Sequence, residues 1–192
     1  APVVQLFGTH LWEAVEGHFA DHGPRWLAGL HARVLTNLRQ RTFACVEHSL
    51  WAPPTPRGGD ARHVRLPPLI ARPATSRDAV RDRLGLAPHD KLAAVYLNPH
   101  FTDPEIAIAV EAALAALGLR AHLVGEGYAR RPGWHATDPD LASVVAAADL
   151  FVSGAGMGAL GQSHAFGTPL VALLADQPEQ RRHAARESVA RR

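Results

Sequence analysis

The stretch DLFVSGAGMGALGQSHAFGTPL, residues 149–170, decides how this chain is to be read. A short apolar run ends at Ser153, glycines stand at 154, 156, 158 and 161, and a helix-like run follows until Gly167-Thr168-Pro169. A strand that ends in glycines before a helix turns the first free N–H groups of that helix, and the positive end of its dipole, toward a ligand. Glycine tolerates unusual backbone angles and places no Cβ in the way of a close approach. Gly156, Gly158 and Gly161 also spell G-x-G-x-x-G, the dinucleotide fingerprint. An ordinary tight strand-to-helix turn is the plain alternative for the same residues.

Outward from this stretch the chain alternates. LAAVYL (92–97), RAHLVG (120–125), LFVS (150–153) and PLVALL (169–174) are buried-strand runs. Between them, DPEIAIAVEAALAALG starts with Asp103 as cap and Pro104 in the first turn, and Gly118 stands at the stop. DPDLASVVAAAD repeats the cap-then-Pro start at Asp138 and Pro139, a short helix is expected near 158–166, and a last helix from about 178. Continuous apolar strands separated by helices predict a doubly wound α/β domain, a Rossmann-like parallel sheet covered on both faces. Ser76 is a plausible cap for the helix RDAVRDRLGL.

Residues 1–75 read differently. PVVQLFG is a candidate strand and PRWLAGLHARVLTNLRQRTFACV is mostly helical in pattern. The segment WAPPTPRGGDARHVRLPPLIARPATS has the Pro and Gly content of loop and linker. The expected organisation is a partial N-terminal α/β domain with its linker over 1–75 and a ligand-binding domain over 76–192.

Of the 192 residues, 47% are hydrophobic and 20% charged, ordinary values for a globular protein with a real core. Lys and Arg together number 20 against 18 Asp and Glu, with no basic stripe of the kind nucleic-acid binding needs. The single cysteine, Cys45, excludes an internal disulfide and suggests a reducing, cytoplasmic setting. No apolar run approaches the roughly 20 residues of a membrane-spanning helix, and no signal peptide is recognisable. Ala1 opens in an apolar run and the chain closes inside a helix-like one, so both ends are expected to be cuts or the limits of an ordered region. His18 and His22 share a helix face at i,i+4, but no third ligand is spaced to help, and no metal site is expected.

For a dinucleotide, Asp176 stands twenty residues past Gly156, where a ribose-binding acid belongs. Against it, the helix after the glycines is expected to be only about two turns long. The loop also follows a late strand instead of the first of its unit, and little chain remains after Asp176.

A longer pattern competes. AADLFVSGAGMGALGQSHAFGTPLVALLADQPEQRRHA resembles the donor-binding half of GT-B glycosyltransferases, especially the inverting families that include the peptidoglycan GlcNAc transferase and the natural-product transferases (families 1 and 28). The resemblance rests on Ala148-Asp149, Ser153, Gly154 to Gly158, Gln162, Gly167-Thr168-Pro169, Glu179-Gln180 and His183-Ala184, and covers roughly residues 64–192. It implies that Gly156, Met157, Gly158 and Ala159 hold a donor diphosphate through their backbone. Gln162 stands where the family has a ribose-binding Glu, a departure that keeps an acceptor but removes its charge. Glu179 and Gln180 correspond to the pair that reads the sugar hydroxyls, with a solvated helix start as the plain alternative, and His183 replaces an Asn. Trp134 and His135 fall near the base-contacting segment; core packing is the alternative for Trp134. Asn98-Pro99-His100 replaces the family's Gly-Ser or Gly-Thr.

The resemblance implies an inverting, metal-independent hexosyltransferase that moves a sugar from a nucleoside-diphosphate donor, UDP- or dTDP-linked, to the hydroxyl of a small-molecule or lipid-linked acceptor, without a cofactor. Such a reaction needs amides for the charge growing on the leaving diphosphate and a base for the acceptor proton. In that family the base comes from the amino-terminal domain; His10, at the end of a strand-like run, is the candidate. A donor-binding module without catalysis, and a GT-B-shaped nucleotide-sugar epimerase, are the other readings. The epimerase needs paired carboxylates in its cleft, and the sequence shows no convincing pair.

Overall fold

The computed structural model describes residues 4–8, 17–18, 23–48, 50, 63–175 and 177–190. The chain forms two compact units. One is Ile70–Ala175; the other joins Ala1–Leu69 to Asp176–Arg192.

The Ile70–Ala175 unit is α/β. Its strands are β4 (Leu92–Leu97), β5 (Arg120–Gly125), β6 (Trp134–His135), β7 (Leu150–Gly154) and β8 (Leu170–Leu173), all parallel, in the order β6-β5-β4-β7-β8. Its helices are α2 (Arg77–Arg83), α3 (Pro104–Ala116), α4 (Leu141–Ala147) and α5 (Met157–Phe166). Parallel neighbours need crossover connections, and these put helices on both faces of the sheet. Alternation along the strands then assigns side chains to two cores. Ala93, Val95, Leu97, Leu123 and Val152 meet Ala107, Val110 and Leu114 of α3. On the other face Leu92, Ala94 and Phe151 meet Val80 of α2, Val144 and Val145 of α4, and Ala159 and Phe166 of α5. The fold is the Rossmann-like, doubly wound arrangement that the alternation of runs predicts.

Local chemistry sets the element ends. Ser76 Oγ accepts from the Ala79 N–H and starts α2; Asp103 accepts from the Glu105 N–H and starts α3 with Pro104 in its first turn. Asp149 joins the starts of two strands. Its N–H donates to the Leu92 carbonyl at 2.8 Å and its Oδ2 accepts from the Leu92 N–H at 2.9 Å. Burial alone would raise the Asp149 carboxyl, but the Leu92 N–H, Lys91 and Arg77 outweigh it and hold the group below the usual carboxylate range.

Three local expectations are corrected. HVRL, read as linker, is strand β3 (His63–Leu66), and Trp134-His135 is strand β6; each is short, and only pairing with a neighbour makes it a strand. The helix expected from Asp138-Pro139 begins at Leu141, because the Asp138 carboxylate turns back onto the Asp140 N–H before the helix starts.

The other unit holds a three-stranded parallel sheet, β1 (Val4–Gly8), β2 (Ala44–His48) and β3, in the order β1-β2-β3, with helices α1 (Arg25–Arg41) and α6 (Pro178–Ala190). Thus TFACV, read with the helix before it, supplies most of β2. The final helix groups with this unit instead of with the 76–192 domain expected from the sequence. Arg182 of α6 lies so close to Gly17 that a Cβ there would stand 2.7 Å from its guanidinium. Among the described residues no helix is long and apolar enough to cross a membrane.

Gly167 ends α5 in a left-handed conformation, φ 70°. Thr168 Oγ1 then donates to the Val145 carbonyl and Ser163 Oγ to the Thr168 carbonyl, each at 2.8 Å, so the turn into β8 is tied to α4 and α5. A Cβ at 167 meets no neighbour, so the cost of Gly167→Ala is conformational. The variant is expected to lose about 1–2 kcal/mol of stability in denaturant unfolding; an unchanged midpoint would contradict this account of the turn.

Candidate functional site

Chain order and strand order together locate a crevice. The chain builds β4, β5 and β6 outward on one side, returns through α4, and lays β7 and β8 on the other side of β4. The loops that leave β4 and β7 therefore part in opposite directions, and open α/β sheets bind ligands at such a switch point, beyond the carboxyl ends of the strands. A cleft of about 420 Å³ lies there, within the size range of small-molecule sites. Tyr96, Leu97 and Pro99 from the end of β4 and Val124 and Glu126 from the end of β5 form its floor and one wall. Gly158, Ala159 and Gln162 of α5 form another, and Ala136, Thr137 and Asp138 a third.

The α5 wall is the glycine stretch of the opening. Gly156 is the N-cap, with an extended backbone (φ −76°, ψ 155°); having no side chain, it accepts nothing from the first-turn N–H groups, and no acidic residue stands in that turn. A Cβ built on Gly156 or Gly158 meets no atom within 4 Å, and neither residue has a positive φ. Neither strain nor packing inside the protein requires glycine at these two positions. What their absent side chains leave is open space before a helix N-terminus. Gly161, by contrast, is buried within α5.

The opposite wall is acidic and held in place. Asp138 Oδ2 lies 2.7 Å from His122 Nε2, and Oδ1 accepts from the Asp140 N–H at 2.8 Å. Both side chains are nearly enclosed, 11% exposed for His122 and 10% for Asp138. His122 stands on the same strand face as Val124, and its ring stacks on that of His135, centroids 5.2 Å apart. Burial pulls the His122 imidazole below the ordinary histidine range; the hydrogen bond and charge of Asp138 pull the other way without overcoming it. The neutral ring thus donates its Nε2–H to the carboxylate. Four flanking hydrogen bonds brace the start of α4: Asp140 takes the Ser143 hydroxyl and, at 2.7 Å, that of Thr75, while Ser143 Oγ accepts the N–H groups of Ala74 and Thr75 at 2.9 Å.

The structure brings together Gly156, Met157, Gly158 and Ala159, as the cap and first turn of α5, with Gln162 one turn on. Trp134 is corrected. It faces the α3 side of the sheet, is 5% exposed, packs on Tyr128 and donates its indole N–H to Glu111 at 2.6 Å, with Arg131 on the same carboxylate. Arg131 and the indole hold the Glu111 carboxyl below its usual range. Trp134 is packing, not a platform for a base. Its strand neighbour His135 has the opposite parity and stands on the cleft face. Glu179 and Gln180 open α6, in the other unit; Gln180 is buried, its Nε2 donates to the Gln177 side chain, and its Oε1 has no hydrogen-bond partner among the described residues. His183 is buried with Nε2 3.6 Å from Glu179 Oε1. His10, His22 and Asp176 lie outside the described residues.

Helix α5 has ten residues, longer than the two turns expected, so its length no longer opposes a dinucleotide. Position does. The fingerprint belongs after the first strand of such a sheet, where Asn98-Pro99-His100 forms a turn closed by Asn98 Oδ1 accepting the His100 N–H at 3.1 Å. Among the described residues no group of three or more His, Cys, Asp or Glu side chains is placed to hold a metal ion. No protein-family model, curated protein or solved structure matches the chain.

Because the folded value of His122 lies below the unfolded one, the unfolded chain binds more protons. This group therefore removes stability as pH falls through the mid-six range. In NMR titrations the His122 ring is expected to titrate below the usual range, and Asp138→Asn to lower it further by removing the one influence that raises it. An unchanged or raised value in the variant would contradict the pairing.

Proposed function

We propose that the cleft of the Ile70–Ala175 unit binds a nucleoside-diphosphate sugar, and that the protein transfers that sugar to an acceptor hydroxyl with inversion. The observation that carries the proposal is the conjunction at the switch point. The first turn of α5, without cap side chain or acid, lines a cleft through Gly158 and Ala159, and a Cβ at Gly156 or Gly158 would meet nothing within 4 Å among the described residues. In such a transfer, negative charge grows on the departing diphosphate. Amides already pointing at that position stabilise it without reorganising. Gln162, on the same helix wall, offers an amide oxygen to ribose hydroxyls. The acceptor's proton needs a base, for which His10 is our candidate.

One observation favours a second reading, a donor-binding module without transfer: an uncharged amide at 162 replaces the carboxylate of the family that the sequence resembles. The two readings separate in a single pair of assays, nucleotide binding and release of nucleoside diphosphate from sugar donors in the presence of acceptors.

The cradle is tested by calorimetric titration of UDP, dTDP, GDP and NADH into wild type and Gly158→Asp. An acid in the first turn of a helix is favourable for the helix, so the variant is expected to keep its melting temperature. It should nonetheless lose at least about tenfold in affinity for whichever nucleoside diphosphate binds, since like charges would meet. Binding of NADH alone would overturn the proposal.

A further inference from the structure

The charges lining the cleft are one-sided. Asp138 and Glu126 line it, and among the described residues no Lys or Arg does. A diphosphate therefore finds its electrostatic partner at the amides of α5, and whatever extends from it toward the opposite wall must meet carboxylates with hydrogen-bond donors.

Asp138 is the more constrained of the two acids. Glu126 is exposed, whereas Asp138 is nearly enclosed, with one oxygen on His122 and the other on the Asp140 N–H. These two bonds fix the plane of the carboxylate, and each oxygen keeps a second lone pair. A carboxylate held this way matches a partner with two N–H groups side by side. Among the bases of common sugar donors, guanine has that edge, N1–H beside its 2-amino group. Uracil and thymine place a carbonyl oxygen on each side of their single ring N–H, and those oxygens would face the acid. Adenine and cytosine set one amino group beside a ring nitrogen that only accepts.

We propose that Asp138, oriented by His122, reads the guanine edge of the ligand, so that the donor is a guanosine-diphosphate sugar and not the uridine or thymidine one that the sequence resemblance implies. His122 is a positioning residue: it touches Asp138 and does not line the cleft. The choice of base rests on the cleft holding a nucleotide sugar at all. The competing partner for the same carboxylate is the ribose diol, which every nucleotide carries.

The test is titration of GDP, ADP, CDP, UDP and dTDP into wild type, Asp138→Asn and Glu126→Gln, with melting temperatures recorded alongside. Wild type is expected to bind GDP about tenfold or more tighter than the other four, the discrimination that paired base-edge hydrogen bonds provide. Asp138→Asn should bring GDP down to the level of the others while the others change little, and Glu126→Gln should keep the preference. Tightest binding of UDP or dTDP by wild type would overturn the guanine assignment and leave the nucleotide-sugar reading standing. Equal weakening of all five by Asp138→Asn would assign the acid to ribose, or to support of the fold if the melting temperature falls with it, and so overturn it too. Loss of the preference in Glu126→Gln alone would move the reader to that residue. Binding of none of the five would overturn both the base assignment and the reading beneath it.

Discussion

The pairing of β7 with β4, instead of with the free edge beyond β6, is the constraint on which the site depends. It makes β4 the central strand, forces α4 to carry the chain back across the sheet, and separates the loops that leave β4 and β7. The amino ends of the two strands are joined by the reciprocal bonds between Asp149 and Leu92, so the Ala-Asp pair of the sequence acts at the end of the sheet opposite the cleft. At the carboxyl ends Ser153 Oγ donates to the Tyr96 carbonyl at 2.8 Å, a second tie between the same strands next to the glycine turn. With β7 held this way, α5 starts beside the cleft and lines it through Gly158, Ala159 and Gln162.

Two of the cleft's walls divide the chemistry. One is backbone, with the partial positive charge of a helix end and nothing of the protein occupying the space before Gly156 and Gly158. The other is carboxylate, oriented by a neutral imidazole and braced through Asp140, Ser143 and Thr75. On the function proposed above, the first would meet the charged middle of the ligand and the second a part of it that donates hydrogen bonds.

Much of the sheet was legible in the sequence because its strands are buried on both faces and so read as unbroken apolar runs, as in LAAVYL and LFVS. Helix starts at Ser76 and at Asp103-Pro104 were legible from their caps. What escaped were features fixed by partners distant in the chain. HVRL alternates charged and apolar residues among prolines and becomes a strand through its pairing with β2. The two residues of β6 have their faces assigned by register with β5, which sends Trp134 to the α3 core and His135 to the other face, against His122. The His122–Asp138 pair spans sixteen residues and joins a strand to a loop; its one trace in the sequence is a histidine next to the apolar run of β5. Asp138 itself was read only as a helix cap; Asp140 is the N-cap of α4, and Asp138 instead accepts from the Asp140 N–H, pairs with His122 and lines the cleft.

The central claim is that the first turn of α5 is a diphosphate cradle, and amide NMR of an isotope-labelled protein titrated with a nucleoside diphosphate tests it most directly. The account predicts that the largest shifts fall on the amides of Met157, Gly158 and Ala159, with smaller ones at Gln162 and Asp138 and little change at Asp149. Saturating binding that leaves those three amides unmoved, or that shifts a surface away from the cleft, would contradict it.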